Sequence, residues 1–225
     1  MILILICLLS VNPFYEANFS SLPMRSVSVF SNPGGIGINT GAEALFTYHP
    51  DKIMAALLLG NTGAGIIKID TIKYYEIAVG YKLPGAISLG YAYQFGDTDT
   101  TNHIFGLICH ASPKLSLGYR TTIGDKKHMF GGITIKPFQE YLFISGDIEY
   151  EGINSIRNYY YGAIIQPMDG LKMNFYADQD FNWNAGIELC FGKIKLAGAY
   201  SKADEKFSAG VIISAQSYKT SVLKQ

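Results

Sequence analysis

Apolar and polar residues alternate along most of this chain. In "FNWNAGIELCFG", residues 181–192, Phe181, Trp183, Ala185, Ile187, Leu189 and Phe191 take one parity. Asn182, Asn184, Gly186, Glu188, Cys190 and Gly192 take the other. A strand sends successive side chains to opposite faces, so this stretch has one apolar face and one polar or small face. The same pattern sets Tyr75, Ile77, Val79 and Tyr81 against Glu76, Ala78, Gly80 and Lys82, and Leu171, Met173 and Phe175 against Lys172, Asn174 and Asp178. No comparable stretch sustains a period of 3.6. The pattern predicts strands near 42–48, 52–60, 64–70, 73–82, 86–95, 103–110, 114–121, 129–136, 141–149, 158–166, 171–178, 181–190, 193–201 and 206–214. Short turn-forming links such as "KLPG", "HASPK", "PMDG" and "KADEK" join them, as in an antiparallel up-and-down chain. "KIMAALLLG", residues 52–60, is too uniformly apolar for a face to be assigned.

Two architectures fit such alternation. In a soluble sandwich the apolar face points inward; in a membrane barrel it meets lipid and the polar face lines the lumen. Three features favour the barrel. The apolar face often runs aromatic, aliphatic, aromatic, which places Tyr75, Tyr81, Phe181, Trp183 and Phe191 in lipid-facing girdles. The opposite face is small, with Gly80, Gly90, Gly118, Gly132, Gly162 and Gly186 mixed with single charges. About fourteen strands would also make an unwieldy open sheet, whereas closure removes every unpaired edge. The predicted fold is therefore all-β: a transmembrane up-and-down antiparallel β-barrel of about fourteen strands (twelve to fourteen).

Composition agrees. Of 225 residues, 16% are charged, below the roughly 25% of soluble domains, and the formal net charge is zero, which gives no footing for nucleic-acid binding. The apolar run from Ile2 to Leu9 in "MILILICLLS" has the length of a signal-peptide core, so residues 1–20 are expected to be an export leader. The lumen-lining charges are expected to be Glu76, Lys82, Arg120, Lys136, Asp147, Glu149, Lys172, Asp178 and Glu188, about balanced in sign and pairing among themselves. Cys109 and Cys190 fall on opposite faces, which argues against a disulfide, and no Cys/His spacing suits zinc. Ser145 with Asp147, and Ser116 with Arg120, share faces, but no histidine stands beside them as a base. No catalytic residue, metal or cofactor is expected.

The segment "MRSVSVFSNPGGIGINTGAEALFTY", from Met24 to Tyr48, resembles the N-terminal segment of FadL-like outer-membrane barrels, a group that includes fatty-acid transporters and PorV/PorQ-type secretion accessories. Asn32, Pro33, Gly34, Gly35 and Ile36 stand where that group has Asn-Pro-Ala-Gly-Leu, with Gly34 in place of the usual alanine. A similar barrel segment precedes the protease domain of some S49 signal-peptide-peptidase relatives, but this chain stops before any such domain. The resemblance implies a fourteen-stranded barrel in the bacterial outer membrane, with a hatch or plug at 21–41, barrel at 42–215 and a polar tail at 216–225. The alternative for "SNPGGIG" is a rigid Asx–Pro turn leading into the first strand. By resemblance, the expected function is a plugged channel for hydrophobic small molecules. The alternative is a non-transporting accessory barrel acting through an envelope protein partner; a barrel enzyme or protease companion ranks last. The expected partners are the bilayer and a long-chain hydrophobic ligand or that envelope protein.

Overall fold

The computed structural model describes residues 12–22, 25–39, 41–97, 99–124, 127–138, 141–151 and 155–217. The apolar start of the expected leader, 1–11, and the last residues, 218–225, lie outside the described residues. Fourteen strands follow in order: β1 (Gly41–His49), β2 (Lys52–Gly60), β3 (Thr62–Ile69), β4 (Ile72–Lys82), β5 (Ile87–Gly96), β6 (Thr101–Ser112), β7 (Leu115–Gly124), β8 (His128–Phe138), β9 (Leu142–Tyr150), β10 (Ile156–Met168), β11 (Leu171–Asp178), β12 (Trp183–Phe191), β13 (Ile194–Ser201) and β14 (Lys206–Ser214). Each pairs antiparallel with its neighbours in sequence, and β14 pairs with β1, closing the barrel.

The parity read from the sequence sets the two faces. Along β4, Tyr74, Glu76, Ala78 and Gly80 turn inward and are buried, while Ile77 and Val79 turn outward at 53% and 46% exposure. Aliphatic side chains such as Leu57, Ile133, Ile187 and Ile213 repeat that outward exposure on other strands. A soluble protein does not expose a continuous apolar belt of this extent. The belt is also edged by rings. Tyr81, Phe138, Tyr141 and Phe191 lie at the rim that carries the start of β1 and the end of β14, and Tyr48, Phe95, Trp183 and Phe207 lie at the far rim. Phe175, Trp183, Tyr200 and Phe207 form a chain of ring contacts across β11–β14, at 6.4, 5.9 and 4.9 Å. Strands of this length, closed so that no strand edge is left unpaired and girdled by aromatics, define a transmembrane barrel.

The structure alters the sequence reading at Phe181 and resolves it at β2. Phe181 lies in the β11–β12 turn, not in a strand, with a positive φ of 58°. The Asp178 carboxylate closes that turn by accepting from the backbone N–H groups of Asp180 and Asn182 at 2.9 and 3.0 Å and from the Asn182 amide at 2.9 Å. Phe181 remains outward, 73% exposed, against Tyr161 at 6.0 Å. The ambiguous β2 also resolves: Met54, Ala56 and Leu58 turn inward and Leu57 and Leu59 outward. Both faces are apolar because the lumen beside β2 is itself filled with apolar residues.

An outward Ile77→Arg substitution separates lipid from water. In a bilayer it is expected to cost about 2–4 kcal/mol and reduce the fraction of chain that resists SDS until boiled. On a hydrated sheet face the same change would be within about 0.5 kcal/mol.

Candidate functional site: a plugged lumen with a cup above it

Residues 12–22 and 25–39 coil inside the barrel through three short 3-10 helices, Tyr15–Asn18, Arg25–Val29 and Pro33–Gly37. This lumen segment therefore begins upstream of the expected 21–41 plug. The expected leader, 1–20, has its last nine residues, 12–20, packed in the lumen, with Phe14 and Phe19 fully buried.

Asn32, Pro33, Gly34, Gly35 and Ile36 sit at the centre of the plug, all buried. The Asn32 side-chain oxygen Oδ1 caps the Pro33–Gly37 helix by accepting from Gly34 N–H at 3.0 Å, and Pro33 occupies its first turn, where no N–H is needed. The Asn32 amide donates to Ser20 O at 2.6 Å and to the strand carbonyls of Leu107 and Tyr119 at 3.3 and 3.2 Å. One side chain thus joins the plug's two arms to β6 and β7. The motif is an Asx–Pro turn, and it lies in the lumen.

The small inward face has a purpose that parity alone did not reveal. A Cβ at Gly90 would collide with the Pro33 backbone, one at Gly106 with the Asn32 side chain, one at Gly80 with Gly37 N and Ile36, and one at Gly118 with the Ser20 backbone. Gly80 pairs with Gly90, Gly90 with Gly106, and Gly118 with Gly132. A glycine track therefore runs across β4–β8 and lets the plug backbone lie directly on the wall. Ser88 Oγ donates to Gly34 O at 2.6 Å beside it. Around β1–β6 an apolar layer adds to these contacts: Val27, Val29 and Ile36 pack with Leu45, Ala56, Leu58, Ala78 and Ile104 in one buried cluster.

Across the lumen the contacts are polar. Ser20 N–H donates to Asp147 Oδ2 at 2.6 Å, Ser116 Oγ donates to Ser21 O at 2.7 Å, and Ser21 Oγ meets Thr134 Oγ1 at 2.8 Å, which in turn meets Ser145 Oγ at 2.8 Å. Ser116 and Ser145 are thus committed to holding the plug. Lys172 lies 3.1 Å from Glu16 and 3.0 Å from Glu188, and Lys195 lies 3.7 Å from each. Lys172 and Lys195 together compensate the charge of the buried Glu16 carboxylate. Removing one member of such a buried set strands the others. At the terminal rim, Arg25 lies 3.6 Å from Glu43 and donates to Ser214 Oγ at 3.1 Å, tying the plug to both strands of the closing seam.

Above the plug, at the far rim, a cavity of about 330 Å³ remains. Phe19, Phe130, Tyr160 and Tyr176 form an aromatic wall, with Tyr160 and Tyr176 stacked at 5.8 Å. Lys52, Arg120 and Arg157 supply positive charge, and Gln94, Asn102 and Asn158 supply amides. Arg120 lies over the Phe130 ring at 5.8 Å. Glu149 is held by Tyr160 Oη at 2.8 Å and His128 at 3.2 Å. The floor is plug: Asn18, Phe19, Ser20, Phe30 and Ser31.

Of the predicted lumen charges, Arg120, Asp147 and Glu149 meet at this cup, whereas Lys172 and Glu188 meet around Glu16. Glu76 is buried and accepts from Gln94 at 3.2 Å. Lys136 is half-buried over Phe143 at 5.4 Å, Lys82 is exposed at the end of β4, and Asp178 caps its turn. Glu16 and Ser20 were missed because the segment reads as leader, and Ser21, at the start of the expected plug, carries no motif. Tyr160 and Tyr176 were missed because aromatics on the polar parity carry no motif. Cys109 and Cys190 are both free.

Among the described residues, His49, Asp51 and Asp204 come close enough for a metal. Asp204 faces the ring's Nε2 at 3.0 Å, Asp51 faces Nδ1 at 3.9 Å and also pairs with Lys206. The group reads as ion pairing that closes the β1–β14 seam at the far rim.

These features define a transmembrane β-barrel whose lumen is plugged by its own N-terminal segment. No known protein family matches the chain in sequence, and no curated protein does. Among solved structures it aligns with mutants of a Rhodopseudomonas blastica porin. One aligns at 12% identity with a TM-score of 0.48 and a triple mutant at 11% with 0.49, each over 78% of this chain and 99% of that chain. The assignment rests on the barrel's own closure and lipid-facing belt.

The glycine track predicts that Gly90→Val or Gly118→Val unseats the plug, costing about 1–3 kcal/mol and exposing the plug to limited proteolysis. Gly131→Ala, outward with only the Tyr150 ring near at 3.9 Å, should leave the digestion pattern unchanged.

Proposed function

We propose that the protein is a bacterial outer-membrane barrel that works as a gated channel for small amphipathic molecules, which bind in the far-rim cup before passing. One observation carries this reading: the floor of the cup is the plug itself, so an occupant touches the element that blocks the lumen. An aromatic wall beside Arg120 and Lys52 suits a molecule with an apolar body and a polar or anionic end. The volume is at the lower end of the roughly 300–1,000 Å³ range of small-molecule sites. Hydrophobic uptake of the FadL-like kind is the narrower form of this reading.

The second reading is an accessory barrel that passes nothing and serves a protein partner at one rim. The extent of the plug's anchoring favours it, since glycine track, buried ion set and seam contacts all hold the lumen shut.

Binding of anilinonaphthalenesulfonate to the purified barrel, and its release from proteoliposomes, separates the two. A gated channel is expected to bind the probe, lose about tenfold in affinity on Arg120→Gln, and release probe from wild-type vesicles. Wild-type vesicles that retain the probe, together with no binding in the cup, would favour the accessory barrel.

A further inference from the structure

We infer that residues 12–22 are a permanent part of the folded protein, the first arm of the plug, so that any export leader is removed ahead of Asn12. The apolar start of the chain reads as a leader, and residues 12–20 look like its continuation; the wall of the barrel is built to receive them.

Three independent features of the wall match this arm. Its inward glycines leave room for it: a Cβ at Gly118 would strike the Ser20 backbone, and one at Gly210 would meet the Phe14 ring at 2.6 Å. Its polar groups are complementary to it, with Asp147 on Ser20 N–H and Ser116 on Ser21 O. Its charges are complementary to it, because Lys172 and Lys195, both buried, face the Glu16 carboxylate at 3.1 and 3.7 Å. These contacts fall mainly on β7–β14, whereas the second arm packs on β1–β6. Without residues 12–22, the wall would keep glycines, hydroxyls and charges shaped for a partner that is missing. Asn32 gives the second arm its own reliance on the first, through the bond to Ser20 O.

The test is the N-terminal sequence and intact mass of the mature protein extracted from membranes. A mature chain that begins at or before Asn12 is expected. One that begins further along, for instance at Asn18 after Ala17, would overturn the inference. Glu16→Ala gives a second readout: if the arm is retained, the temperature at which the barrel loses SDS resistance should fall by about 5–10 °C. An unchanged temperature would mean that Glu16 is absent from the mature protein. Neither readout depends on whether the barrel transports anything.

Discussion

Hydrocarbon offers no hydrogen bond to an exposed backbone group, and that constraint governs the rest of this structure. A sheet can stand in lipid only if its last strand pairs with its first, and β14 does so with β1 from Glu43–Ser214 to Tyr48–Ala209. Closure fixes which parity of every strand meets lipid and which meets the lumen. It also creates the second problem, an interior that must be filled.

Below the cup the chain fills that interior with its own backbone, which brings N–H and C=O groups into the lumen. They are met in two ways. On one side the wall drops its side chains altogether, so that Pro33–Gly34 lies on Gly90 and Gly106. On the other it supplies hydroxyls and carboxylates at hydrogen-bonding distance, as Ser116 and Asp147 do for Ser20 and Ser21. The polar interior is therefore a plug seat, with a cup left open above Phe19 and Phe30 at the far rim.

Most of the fold was legible in the sequence because lipid and lumen impose the shortest possible period on every strand. Positions such as Ile77 and Glu76 declare their faces without tertiary information. β2 did not, since its inward Leu58 packs on an apolar plug and its outward Leu57 faces lipid. The site was less legible. The inward glycines were visible as a pattern, but not that a backbone would lie on them. Glu16 was hidden because its role depends on Lys172 and Lys195, more than 150 residues away, and because its neighbours look like a leader. Tyr160 and Tyr176 break the polar parity for a reason that only their stacking explains.

Trp183 is the one tryptophan of the chain and stands in the far-rim girdle. Its fluorescence in proteoliposomes of brominated lipid therefore reports which medium the apolar face meets. Strong quenching is expected, deeper with bromines near the head group than at the chain centre. Fluorescence indifferent to brominated lipid and quenched by aqueous iodide would place that face in water and contradict the barrel's lipid-facing belt.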